Sequence, residues 1–167
     1  MDITDYRSCV PQANIFRRTY ADHWFRFHSL VESKRYPEDQ QDWDELHFRH
    51  ACVLADVFRR TDCVDIVTLN DQKIGTLIGD RLMQLDEDYN GVWLYCFSAP
   101  WPIEGFKSIL EDVASDKLAS VLIQSRNNGN IYAPYDGGAD IFMKDNSLVR
   151  PLREKFATFL SAREDGL

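Results

Sequence analysis

An α+β fold, with a central mixed β-sheet flanked by helices and a C-terminal β-hairpin followed by a helix, is what three features of this sequence predict. Apolar residues recur at close to 3.6-residue spacing within "PEDQQDWDELHFRHACVLADVFRR". The runs "CVDIVTLN" and "GVWLYCFSA" are rich in β-branched and aromatic residues, as buried strands are. Near the end, "NIYAP" and "ADIFM" bracket an Asp-Gly pair, a favoured two-residue hairpin turn because both central residues need positive φ.

The elements follow in order. "ANIFRRTYADHW" has helical spacing at Ile15, Phe16, Tyr20 and Trp24, and "WFRFH" then alternates as a short strand. The long helix opens at Pro37, with Glu38 and Asp39 at the positive end of its dipole. Its stripe is Trp43, Leu46, His50, Val53, Leu54, Val57 and Phe58, and Arg59 and Arg60 close it. "IGTLIGDRLMQL" fits either a helix or a strand pair. A helix over "IEGFKSILEDVASD" buries Ile103, Phe106, Ile109, Leu110 and Val113, and "LASVLIQS" reads as a strand. After the hairpin, "NSLVRPLREKFATFLSA" is a helix capped by Asn146 or Ser147, with Pro151 tolerated in its first turn. Helices interspersed with strands in this order build a sheet flanked by helices.

The 167 residues form a single domain, 1–167, with no repeat or linker. No apolar run is long enough to cross a membrane, and "MDITDYRSCV" has no apolar signal region, so a cytoplasmic protein is expected. Nineteen basic residues against 27 acidic ones give a net charge of −8. Such a surface repels phosphate backbones, which argues against nucleic-acid binding and attracts a basic protein partner. Cys9, Cys52, Cys63 and Cys96 are far apart and read as buried thiols.

Phosphate-binding loops, dinucleotide fingerprints, H-E-x-x-H and G-x-S-x-G are absent, and no cofactor or metal is expected. His47 and His50 have the i, i+3 spacing for one metal ion, but nearby residues supply no third ligand and His50 falls on the apolar stripe. "DEDYNG" opens like a calcium loop yet has Phe97 where the bidentate glutamate belongs. Two polar clusters remain. One holds His28, Lys34 and Arg35, a possible anion pocket, and the other Asp136 and Asp140 around Gly137-Gly138. The two aspartates could act as paired carboxylates, although a hairpin turn accounts for the glycines by itself.

"HSL" followed by "ESKRYP" at residues 28–37, and "PYDGGAD" at 134–140, resemble segments of the bacterial family called domain of unknown function 3885. The helix-strand pairing around "ELHFRHACVLADVF" is similar as well. The resemblance implies one compact domain and brings no activity or cofactor with it.

The expected function is binding. A small acidic domain without a catalytic constellation fits an immunity protein that neutralises a basic toxin, with contacts at Asp39, Asp42, Asp44 and Glu45 and at Asp86, Glu87 and Asp88. An enzyme or small-ligand sensor is the alternative, with His28, Lys34, Arg35, Asp136 and Asp140 converging in one pocket. A structural subunit that hides Trp93 and Trp101 is a third reading.

Overall fold

The computed structural model describes residues 13–69, 73–74, 77–84 and 91–161. Helix α1 (Ala13–Thr19) and a 3₁₀ turn lead into β1 (Trp24–His28). Helix α2 (Gln40–Val57), β2 (Cys63–Leu69), β3 (Lys73–Ile74), β4 (Leu77–Ile78), β5 (Asp80–Gln84) and β6 (Trp93–Pro100) follow. Then come α3 (Phe106–Ala114), β7 (Leu122–Ser125), β8 (Ile131–Tyr135), β9 (Gly138–Phe142) and α4 (Val149–Lys155). The fold is α+β, as expected, and the segment that fitted helix or strand forms β3, β4 and β5.

Seven strands form one sheet in the order β1-β9-β8-β7-β2-β6-β5, while β3 and β4 pair separately. Every pairing in the large sheet is antiparallel. Alternating direction across that order makes β1 run parallel to β2, and β6 parallel to β7, with other strands between them. Each of these connections carries a helix, α2 and α3 respectively, because parallel strands need a long crossover. The large sheet is therefore antiparallel in every pairing and not mixed as expected, because the co-directional strands joined through α2 and through α3 have other strands inserted between them.

The sheet has two unequal faces. Phe27, Ile66, Phe97, Tyr132 and Ile141 meet Val53 and Leu54 of α2, Ile109 of α3 and Val149 of α4 in the main core. On the other face Val67, Leu94, Ile131 and Phe142 pack with Phe16 of α1. Strand β1 shows the required alternation, with Phe25 and Phe27 buried in the main core and Arg26 on the reverse side.

Helix α2 starts three residues later than its composition suggests. Asp39, in extended conformation, is the N-cap, and its carboxylate accepts from Asp42 N at 2.9 Å. That bond satisfies one of the orphan amides of the first turn and contributes about 1 kcal/mol. Pro37 and Glu38 thus precede the helix, and Arg59 and Arg60 lie beyond its end. The last helix is likewise shorter: Asp145 caps a 3₁₀ turn through Ser147 N at 3.0 Å, and regular α-helix spans only Val149–Lys155. Cys52, Cys63 and Cys96 are free and half-buried, less enclosed than the apolar runs around them imply. Cys9, Asp86, Glu87 and Asp88 lie outside the described residues.

Candidate functional site

The double glycine is a packing requirement first. Tyr135 pairs with Gly138, so Asp136 and Gly137 make a two-residue turn between β8 and β9. Neither turn residue takes a left-handed φ. The expected reason for glycine at 137 is therefore absent. The turn is shaped from outside the hairpin instead: Ser29 N donates to Gly137 O at 3.0 Å, and Arg35 and Tyr36 hold the Asp136 carboxylate. Gly138 has the stronger constraint. A Cβ there would stand 2.1 Å from Phe27 O and 3.1 Å from His28 Cα, so only glycine lets β1 close on β9.

The five polar-pocket candidates separate into distinct groups. Asp140, fully buried, accepts from Arg26 Nε at 2.8 Å and from Arg17 Nη1 at 2.7 Å. Arg26 faces it because β1 and β9 place the two directly opposite. The Arg26 guanidinium also stacks 4.6 Å from the Tyr135 ring centre. Asp136 pairs with Arg35, and Tyr36 Oη donates to it at 3.0 Å. Lys34 turns away from both aspartates and bonds Asp42 at 2.5 Å and Glu38 at 3.0 Å, tying the loop to the start of α2. His28 is held neutral by burial, with Arg26 and Arg49 adding repulsion, and its buried Nε2 makes no hydrogen bond. The sequence motifs thus mark the seam between β1, the loop after it and the β8–β9 hairpin.

A second buried network was not legible as such. His50 Nε2 lies 2.7 Å from Ser29 Oγ, and its Nδ1 lies 2.7 Å from Tyr132 Oη. All three residues are buried, and together they join the end of β1, α2 and β8. Desolvation lowers the His50 pKa to about 3, with His47 and Arg49 adding to the effect. Both ring nitrogens are engaged, so His50 cannot share a metal ion with His47. Among the described residues no group of three metal-ligating side chains converges. The Ser-His-Tyr order resembles a relay, yet its serine is enclosed and no substrate can approach it. The only signal for this network was His50 on the apolar stripe.

Of the acidic residues at the start of α2, Asp42 and Glu45 are committed to Lys34 and Arg49, and Asp39 caps the helix. Asp44 accepts from Gln40 and stays exposed. Around them the loop 31–38 presents Val31, 58% exposed, and Tyr36, 44% exposed. Glu32, Glu38 and Asp116 are exposed beside these two. Tyr36 Oη donates to Asp116 at 3.0 Å as well as to Asp136, which pushes the phenol up to about 12. Glu32 and Ser33 both hold left-handed φ, at 56° and 57°. Non-glycine residues pay for that conformation in strain of about 1–3 kcal/mol each. Of the tryptophans singled out, Trp101 is buried between Phe58 and Phe106, while Trp93 stacks under Arg81 with 4.3 Å to its ring centre.

No helix among the described residues is long and apolar enough to cross a membrane. No curated protein and no solved structure matches the chain. The family model described as Domain of unknown function (DUF3885) matches residues 13–76 and 69–164, spans that include both the HSL/ESKRYP and the PYDGGAD segments. The seam these segments build therefore lies within a family domain, and the chain belongs to the domain of unknown function 3885 family.

Proposed function

We propose that the protein is a cytoplasmic immunity protein, which binds a basic antibacterial toxin and neutralises it by covering its working surface. The observation that carries this reading is the exposed Tyr36 and Val31, set among the exposed acids Glu32, Glu38, Asp39, Asp44 and Asp116. An aromatic and an apolar side chain inside a charged rim is the anatomy of a binding surface. The net charge of −8 supplies a field that steers a basic partner toward it. The loop carrying Tyr36 is fixed by Lys34–Asp42 and by Arg35–Asp136, so it meets a partner already ordered.

The alternative, an enzyme or ligand sensor built on His28, Lys34, Arg35, Asp136 and Asp140, needs those groups free and convergent. Lys34, Arg35, Asp136 and Asp140 are each ion-paired, in three separate groups. Binding is the better reading.

The test is a pull-down from the native strain with tagged wild type, a Glu38→Lys/Asp44→Lys variant and an Asp22→Lys control at the other end of β1. Wild type and control should recover one basic protein in near-stoichiometric amount, and the double variant should lose it. Equal recovery by all three would remove the Tyr36 surface from the interface.

A further inference from the structure

A cleft of about 650 Å³ lies between α2 and α3, lined by none of the residues of the Tyr36 surface. The two helices run antiparallel across it. Phe58 at the end of α2 meets Trp101, which in turn meets Phe106 at the start of α3, while His47, near the start of α2, lies 3.2 Å from Glu111 late in α3. The cleft is open because α2 presents Ala51 and Ala55, one turn apart, where larger residues would close the gap. Its floor is apolar: Leu54, Phe58, Trp101, Phe106 and Leu110. Trp101 stands edge-on to Phe58 and Phe106, with ring centres 4.9 Å and 5.2 Å away.

The ionisable residues that line this floor are all basic: His47, His50, Arg59, Arg60 and Lys107. A chain carrying eight excess negative charges places Arg59 and Arg60 at one end of the cleft, with Lys107 on its α3 wall. Arg59 and Arg60 are exposed and, among the described residues, form no side-chain ion pair. Lys107 reaches Glu111 only at 3.9 Å. The N-terminus of α3 adds its positive dipole end on the same side. At the far end the buried His47 Nε2 makes no aligned hydrogen bond, and burial holds that ring neutral. The volume falls within the range of small-ligand sites, which are mostly apolar with a few placed polar groups.

From this arrangement we infer that the α2–α3 cleft binds a small amphiphile with an apolar body and one anionic head group. The head pairs with Arg59 and Arg60, and the body lies over Leu54, Phe58 and Trp101. A neutral ligand would leave the arginines unused, and a cationic one would be repelled by them. The site is independent of the toxin-binding reading, since none of its residues belongs to the Tyr36 surface.

Calorimetric titration of the full chain with decanoate, below its micellar concentration, and with its neutral isostere decanol tests the inference. Wild type should bind decanoate saturably at one site, about tenfold or more tighter than decanol, as a charge-assisted contact predicts. Arg59→Glu/Arg60→Glu should bring decanoate down to decanol affinity or below while decanol is unchanged. Ala55→Trp, which fills the cleft from a solvent-facing position, should abolish binding of both. The urea midpoint of each variant confirms that it is folded. Absence of saturable decanoate binding, equal affinity for the two probes, a preference that survives the arginine substitutions, or normal binding by Ala55→Trp would each overturn the assignment.

Discussion

Lowering the pH from 7 to 5 should weaken this fold through one buried histidine. In the unfolded chain His50 titrates near 6.5, and in the folded protein near about 3, because burial disfavours the imidazolium. The unfolded state therefore binds the extra proton between those values. Stability contributed by neutral His50 is fully present above about pH 6.5 and is lost as the pH falls toward about 3. The slope for one proton is about 1.4 kcal/mol per pH unit, so about 2 kcal/mol is lost by pH 5. For a domain of this size that lowers the midpoint of thermal unfolding by about 4–8 °C. Urea denaturation of wild type and His50→Gln at pH 7, 6 and 5 isolates the effect, since His28 and His47, whose pKa values are lowered in the same direction, are common to both proteins. The stability advantage of wild type should shrink by about 2 kcal/mol across that range. An advantage that stays constant with pH would refute the enclosed, neutral His50 bonded to Ser29 and Tyr132.

Four further outcomes rest on the same packing. Tyr132→Phe removes the partner of His50 Nδ1 without changing shape, and urea denaturation should show a loss of about 1–3 kcal/mol. Gly138→Ala drives a Cβ into Phe27 O and should cost about 3 kcal/mol or prevent expression of folded protein. Gly137→Ala meets only the Tyr135 ring, at 3.1 Å, and Arg35 Cγ, at 3.6 Å, and should cost under about 1 kcal/mol by the same assay. Asp140→Ala leaves Arg17 and Arg26 without their shared carboxylate and should destabilise by about 3–5 kcal/mol, read as a shift in the urea midpoint.

Period and propensity made most of the architecture readable from the chain. The stripe of α2 and the β-branched runs of β2 and β6 identify themselves, because burial on a defined face demands those residues. Strand order was out of reach: nothing local in "LASVLIQS" says that β7 pairs with β2 rather than with β6, the strand before it. Helix ends moved for local reasons, as when the Asp39 carboxylate fixed the start of α2 and left Pro37 outside. The hairpin was placed correctly but for an incomplete reason. Gly138 answers to the Phe27 carbonyl more than a hundred residues earlier, a contact no window of sequence contains. Polar residues were the hardest to read. Lys34 and Arg35 are adjacent, yet they serve different carboxylates, because the loop between β1 and α2 points them in different directions. The α2–α3 cleft was also invisible, since it is defined by two alanines where larger residues would have stood.

If the Tyr36 surface neutralises a basic toxin, cell viability reads that neutralisation out. The basic protein recovered by pull-down is expressed alone, with wild type, and with Glu38→Lys/Asp44→Lys. Cells should die with the partner alone, grow when wild type is present, and die again with the double variant. Harmless expression of the partner would rule out a toxin, and undiminished protection by the variant would rule out the Tyr36 surface as its binding site.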